Sequence, residues 1–93
     1  MPDDIALRVR VTGRVQGVWY RGWTEAEGRR RGLRGWVRNA PDGSVLAVLA
    51  GPPAQVDAMV EAMRRGPPDA GVTGLETLAV DDEGWAGFEV RRG

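Results

Sequence analysis

The sequence predicts an α+β sandwich, in which two helices cover one face of a mostly antiparallel sheet. Three observations lead to this fold class. Several segments are rich in strand-forming apolar residues, and two others are suited to helices. Glycine and proline separate these segments. The order of the segments along the chain is β-α-β-β-α-β, followed by a short terminal strand.

The first strand is predicted over residues 5–12, and its core-facing side chains are Ile5, Leu7, Val9 and Val11. The glycines of residues 13–17 break this pattern. The first helix is predicted over residues 21–31, even though Gly28 lies inside it at a cost of about 1 kcal/mol relative to alanine. Gly32 suits the C-terminal end of this helix.

The other strands are predicted over residues 33–39, 44–50 and 72–80, with a short last strand at Phe88 and Val90. The second helix carries an amphipathic stripe of Val56, Met59, Val60 and Met63. The turns that bound these elements are Ala40–Gly43, Gly51–Pro53 and Gly66–Pro68. Two βαβ-type units joined by a hairpin predict a split-βαβ, ferredoxin-like sandwich with both helices on one face.

The composition excludes several kinds of catalytic site. The 93 residues contain no His and no Cys, and all 13 basic residues are Arg. The chain therefore has no thiol nucleophile, no imidazole base and no lysine for a Schiff base. Its formal net charge of +0 does not favour non-specific nucleic-acid binding. We expect one domain over residues 1–93, with a core of about 5–92, in the cytoplasm, because no signal-peptide or membrane-spanning pattern is present.

A glycine-containing segment is the first candidate for a binding site. Residues 13–21, G-R-V-Q-G-V-W-Y-R, join a strand to the N-terminus of a helix. Glycines allow backbone N–H groups to converge there, and the helix dipole adds positive partial charge, so the segment suits a phosphate. Arg21, in the first helical turn, could grip a tetrahedral anion with its guanidinium fork. The alternative is an ordinary glycine loop with Arg21 on a solvated face.

Asn39 is the second candidate, and it is the only Asn of the chain. Taken alone, an Asn at this position could simply support the turn that follows. The topology connects it with the first candidate, because strands one and two run parallel with strand three between them. The loop and Asn39 then emerge at the same edge of the sheet, about 10 Å apart at their bases. Arg21 and Asn39 could therefore meet over a small ligand.

Both segments resemble signatures of the acylphosphatases. Gly13–Arg21 is similar to the first signature, and Gly35–Asn39, followed by Asp42–Val45 and Gly51, is similar to the second. The resemblance extends over nearly the whole chain, from Ile5 to Arg92. It departs from the family at Gly28, usually Ala, and at Arg31, usually apolar. We expect both departures to weaken the first helix.

The resemblance implies a ferredoxin-like enzyme that hydrolyses acyl phosphates to a carboxylate and inorganic phosphate, without a metal or cofactor. It implies that Arg21 binds the phosphoryl group together with loop amides, and that Asn39 positions the attacking water. The implied substrate-binding residues are Val15, Gln16, Gly17, Val18, Trp19 and Tyr20. A carboxylate leaves without a general acid, since its conjugate acid has a pKa of ~4. Phosphoryl transfer then needs mainly positioning and charge stabilisation.

Two other functions stay open at this stage. The chain could be a non-catalytic binding module, because fold does not fix function. Acylphosphatase-like domains also begin the hydrogenase-maturation carbamoyltransferases, but no zinc-finger segment is present here. For the hydrolase we expect a small-molecule acyl phosphate as substrate, phosphate as product, no nucleic-acid or membrane partner, and a monomer.

Two further groups of side chains are candidates for a role. Trp19, Tyr20, Trp23 and Trp36 are expected in or near the site, where some would pack between helix and sheet and others would wall the acyl pocket. Arg29–Arg31 with Arg34 form a basic patch that is either solvated surface or a device for steering anionic substrates. The acidic residues show no metal-ligand pattern.

Overall fold

The computed structural model describes residues 3–92, and its elements follow the predicted order. They are β1 (Ile5–Arg14), α1 (Tyr20–Arg30), β2 (Arg34–Asn39), β3 (Val45–Gly51), α2 (Pro53–Arg65), β4 (Gly71–Val80) and β5 (Phe88–Val90). The five strands form one sheet in the order β4-β1-β3-β2-β5. Only the pair of β2 and β5 is parallel. The predicted ferredoxin-like fold, with a mostly antiparallel sheet, is confirmed.

The position of β3 determines where a site can form. This strand lies between β1 and β2 and pairs antiparallel with both. Strands β1 and β2 therefore run in the same direction, as predicted, and their C-terminal ends lie at one edge of the sheet. The chain leaves β1 there to enter α1, and it leaves β2 there after Asn39.

The hydrophobic core lies between the two helices and one face of the sheet. All four residues of the predicted amphipathic stripe of α2 are buried in this core, namely Val56, Met59, Val60 and Met63. In contrast, α1 buries only Tyr20, Thr24 and Gly28. Among the described residues, no helix is long and apolar enough to cross a membrane.

Strand β1 is longer than the sequence predicted. The glycine at position 13 was expected to interrupt it, but the strand continues to Arg14 through a shift in its register with β4 between Thr12 and Gly13. Gly13 has a φ of 113°, and a Cβ atom at this position would collide with the carbonyl oxygen of Gly71. The glycine therefore allows a bulge with close backbone approach and does not end the strand.

Gly28 packs directly under an aromatic ring. A Cβ atom at this position would lie 2.8 Å from Cδ2 of Phe88, which belongs to β5 and is buried. Glycine at position 28 has a low helix propensity, but its lack of a Cβ atom allows a close contact between α1 and the last strand. At the other departure from the family pattern, the half-buried Arg31 pairs with Glu27 at 3.3 Å.

Candidate active site

An open cleft of about 630 Å³ lies where the ends of β1 and β2 meet the N-terminus of α1. It is lined by Val15, Gly17, Trp19, Tyr20, Arg21, Gly22, Asn39, Val90 and Arg92. A smaller hollow of about 320 Å³ shares Arg21, Asn39 and Arg92 with this cleft. The structure therefore brings Arg21 and Asn39 to one cavity, as the topological argument predicted.

The loop between β1 and α1 leaves its backbone donors open. Within the part of the chain that the structure describes, the N–H groups of residues 16–22 donate to no protein acceptor. The first turn of a helix has no intrahelical acceptors for its N–H groups, and here no side chain caps them. Gly17 and Trp19 both adopt left-handed backbone conformations, with φ of 73° and 65°. Open N–H groups at a helix N-terminus suit a phosphate.

Gln16 ties this loop to the turn that follows Asn39. Its side-chain amide donates hydrogen bonds to the carbonyl oxygens of Ala40 and Ser44, each at 2.9 Å. Ser44 is buried, and its hydroxyl and N–H donate to a carboxylate oxygen of Asp42 at 2.6 and 3.0 Å. Because the side-chain N–H groups of Gln16 are engaged within the protein, its backbone N–H is the donor left for a ligand.

Three of the predicted binding residues have buried side chains. Val15, Val18 and Tyr20 are 1%, 9% and 1% exposed. Val15 and Tyr20 line the cleft and can contact a ligand there mainly through their backbone, whereas Val18 is not among the lining residues. The hydroxyl of Tyr20 donates to the carbonyl oxygen of Met63 at 2.7 Å, and burial raises the pKa of this hydroxyl above its usual value. The sequence motif alone does not separate such backbone positions from side-chain positions.

Trp19 presents its side chain to the cleft. It is 67% exposed, the largest exposed apolar side chain among those described. Its indole ring lies against the backbone of Gly22, where a Cβ atom would collide with it. Glycine at position 22 therefore leaves the space that the ring occupies against the first turn of α1.

Arg92 lines the cleft and was not among the predicted site residues. Val90 of β5 pairs in parallel with Val37, and the N–H of Arg91 donates to the carbonyl oxygen of Val37 at 2.8 Å. Continuing this register by two residues places Arg92 beside Asn39. No sequence signal pointed to it, because the pairing of a three-residue strand cannot be read from its own composition.

The prediction for Trp36 is wrong. Its neighbour Val37 is fully buried, so Trp36 points to the opposite face of the sheet. There the guanidinium groups of Arg38 and Arg91 lie 5.8 and 5.0 Å from the centroid of its ring. Trp23, in contrast, packs against Tyr20 with 5.5 Å between ring centroids.

The basic patch of Arg29–Arg31 and Arg34 is paired with acidic residues. Arg29 contacts Glu25, Arg30 and Arg31 contact Glu27, and Arg34 contacts Asp4 and Asp82. The hydrogen bond from Arg34 lowers the pKa of Asp82 to about 2. Because carboxylates offset its charge, the patch is an ion-paired surface and offers little field for steering substrates.

The charged side chains described in the cleft are all positive. Arg21 and Arg92 line both hollows, and among the described residues no Asp or Glu lines either of them. Within residues 3–92, no group of three or more acidic side chains is placed to hold a metal ion. The arrangement of two guanidinium groups, open N–H groups and one carboxamide can bind an anion and a water molecule beside it.

Comparison with known proteins matches the chain to one family. The family model described as Acylphosphatase matches residues 7–90. A curated acylphosphatase of Rhizobium meliloti (strain 1021) is 49% identical over 92 residues, which cover 98% of this chain and 97% of the relative. An acylphosphatase structure from Bacillus subtilis is similar with a TM-score of 0.91 and 35% identity, over 94% of this chain and 98% of that one.

A structure of T. kodakarensis HypF shares the fold over a small part of its length. The TM-score is 0.85 and the identity 25%, and the match covers 96% of this chain but 12% of that one. The relative from Rhizobium meliloti matches over nearly all of both chains, and the family model spans the sheet and both helices. This chain belongs to the acylphosphatase family.

Proposed function

We propose that this chain hydrolyses acyl phosphates by holding the phosphoryl group between the amides of residues 16–22 and Arg21, while Asn39 positions the attacking water. One observation carries the proposal. One cleft at one edge of the sheet is lined by Arg21, by Asn39 and by four further residues whose N–H groups are open, namely Gly17, Trp19, Tyr20 and Gly22. This is the combination that binding and hydrolysing a phosphoryl group requires.

Phosphoryl binding is assigned to the loop and to Arg21. A phosphoryl group carries three oxygens that accept hydrogen bonds, and its charge is favoured at a helix N-terminus. Arg21 adds a planar fork of cationic donors. In the transition state, negative charge spreads over the three equatorial oxygens, and fixed donors around them stabilise it.

Asn39 is assigned to the nucleophile. Its carboxamide oxygen can accept a hydrogen bond from water and hold the oxygen of that water in line with phosphorus. The water oxygen forms the new bond to phosphorus, and the bond from phosphorus to the acyl oxygen breaks. The carboxylate leaves with the electron pair, and the proton of the water moves to a phosphoryl oxygen, so the products are a carboxylate and dihydrogen phosphate. No side-chain base takes part in this step.

The apolar side chains of the cleft are assigned to the acyl group. Trp19 and Val90 are both exposed, at 67% and 38%, and both line the cleft. Apolar surface of this kind can cover the carbon skeleton of the substrate while leaving the mixed anhydride over the loop. A cleft of about 630 Å³ has room for more than the phosphoryl group.

The remaining expectations concern the state in which the enzyme works. We propose a monomer in the cytoplasm that acts on a free small molecule and has no nucleic-acid or membrane partner. The formal net charge of +0 supports the last part, the absence of a nucleic-acid or membrane partner. Size-exclusion chromatography with light scattering measures the mass in solution, and a dimer at micromolar concentration would contradict the first part.

The test of the function is hydrolysis of benzoyl phosphate by variants at two positions. Arg21→Ala should lower kcat/KM by at least about 10³-fold, because it removes a charged donor to the phosphoryl group. Arg8→Ala is the matched control: Arg8 is exposed and lines a depression on the other face of the sheet, so its activity should stay near that of the parent. A folded Arg21→Ala protein with near-normal turnover would overturn the assignment.

Asn39→Ala separates water positioning from phosphate binding. We expect kcat to fall by about 10²-fold or more, with the inhibition constant of inorganic phosphate changed by less than about threefold. A large loss of phosphate affinity would contradict the role given to Asn39. The same assays with and without EDTA test whether turnover is independent of metal ions.

A further inference from the structure

We propose that Arg92 is a second phosphoryl-binding guanidinium of this site, in contact with the phosphoryl oxygens of the substrate and with the phosphate product. The proposal rests on the proposed function, because it assigns a further residue to the same reaction. Arg92 lies outside both signature segments and just beyond the last strand.

The pairing of β5 determines where Arg92 lies. Val90 is opposite Val37 in the parallel register, so Arg92 is next to Asn39 across one strand spacing of about 4.8 Å. Side chains alternate between the two faces along an extended segment. Val90 and Arg92 accordingly line the cleft, whereas Arg91 lies over the ring of Trp36 on the other face.

The charge of Arg92 is not offset within the structure. Among the residues that the structure describes, Arg92 takes part in no ion pair and no side-chain hydrogen bond, unlike Arg91, which pairs with Glu89. It shares both hollows with Arg21, and none of the described Asp and Glu side chains lines either hollow. Two cations around one cavity repel each other, and an anion bound between them relieves this repulsion.

The charge of the substrate matches two guanidinium groups better than one. A phosphoryl group carries about −1.5 to −2 charge at neutral pH, so a single Arg leaves part of it unneutralised. In the loose transition state this charge lies on three equatorial oxygens, which offer more acceptor positions than one guanidinium fork can use. Arg92 therefore contributes to phosphate affinity and to the rate of the chemical step.

The test measures phosphate binding separately from turnover. Inorganic phosphate is titrated calorimetrically into the parent protein and the variants Arg92→Gln, Arg92→Lys and Arg91→Gln. Arg92→Gln should weaken phosphate binding by about 10- to 100-fold, because it removes charge-assisted hydrogen bonds. Arg92→Lys should retain part of the affinity, since lysine keeps the charge without the fork. Arg91→Gln, which removes the same charge one residue away, should stay within about twofold.

Two results would overturn the proposal. One is unchanged phosphate affinity and unchanged kcat/KM for benzoyl phosphate in a folded Arg92→Gln protein. The other is a loss that disappears at about 0.5 M salt, because screening removes a long-range field and leaves a direct contact largely intact. If Arg92→Gln weakens phosphate binding but the parent protein does not hydrolyse benzoyl phosphate, the proposed hydrolysis fails and the binding role of Arg92 stands.

Discussion

Replacing Tyr20 with phenylalanine removes one hydroxyl from the core and leaves the ring in place. In a continuing helix, the carbonyl of Met63 would accept a hydrogen bond from the N–H of residue 67. That residue is Pro67, which has no N–H, and α2 ends at Arg65. The hydroxyl of Tyr20 supplies the missing donor at 2.7 Å. Tyr20→Phe therefore leaves the buried carbonyl of Met63 without a hydrogen-bond donor, which lowers the unfolding free energy by about 1–3 kcal/mol.

The assay is unfolding by heat and by guanidinium chloride. For a domain of this size, 1 kcal/mol corresponds to about 4–8 °C in Tm, so we expect Tm to fall by about 4 °C or more. The m-value should stay constant, because the variant exposes the same surface on unfolding. A loss of unfolding free energy below about 0.5 kcal/mol would refute the reasoning, since it would mean that the carbonyl of Met63 does not depend on this hydroxyl.

Three further predictions concern Gln16, the pair of Gly28 and Phe88, and the ionisation of Tyr20. Gln16→Met should lower kcat for benzoyl phosphate by about 10-fold or more, because it removes the hydrogen bonds between the loop and the turn after Asn39. The phosphate affinity should change little, because the backbone donors of the loop remain. Gln55→Met, at an exposed position of α2, is the control, and an unchanged kcat in Gln16→Met would argue against this role. Gly28→Ala and Phe88→Leu should be coupled by about 1 kcal/mol in a double-mutant cycle of unfolding free energies, because the new methyl group and the ring compete for one space; additive effects would contradict this. Burial raises the pKa of Tyr20 above that of the unfolded chain, so stability is fully present below pH ~10 and falls as the pH rises beyond it. Tyr20 is the only Tyr, so the ultraviolet signal of tyrosinate should appear together with the loss of circular dichroism, and ionisation near pH 10 in a folded chain would refute this.

The fold could be predicted because several signals agreed along the chain. The helical spacing of Val56, Met59 and Met63 predicted a packed α2, and turns rich in glycine and proline bounded each element. For Gly13, the sequence pattern predicts a break in the first strand, whereas the strand continues through it to Arg14. A glycine that ends a strand and a glycine that allows a bulge look the same in a sequence. The difference lies in Gly71, which is distant in the chain and close in space.

The meeting of the loop and Asn39 in the candidate site could be predicted, because it follows from the topology of the fold. Connection rules place the loop before Arg21 and the end of the second strand at one edge of the sheet, whatever the details of packing. Trp36 lies outside the site because side chains alternate along its strand and Val37 occupies the core face. The position of Arg92 could not be predicted, because it depends on the partner and direction of a three-residue strand.

The contact between Phe88 and Gly28, like the position of Arg92, depends on the pairing of β5 and could not be predicted from the sequence. The two residues are 60 positions apart in the chain, and their meeting depends on how β5 docks beside β2. From the sequence alone, Gly28 could be assessed only by its helix propensity, which made it a weakness of α1. The packing that accompanies this weakness is a tertiary effect, which no local pattern encodes.

The attachment of β5 links local folding to ligand binding. This strand forms the edge of the sheet, and Arg29 holds the carbonyl oxygen of Phe88 with hydrogen bonds of 3.0 and 3.2 Å. A short edge strand is among the elements that open at the lowest free energy, well before global unfolding. When β5 detaches, Val90 and Arg92 leave the cleft with it. A ligand that binds only the docked form favours docking by mass action, so phosphate should slow hydrogen exchange at the amides of β5 more than at those of β4.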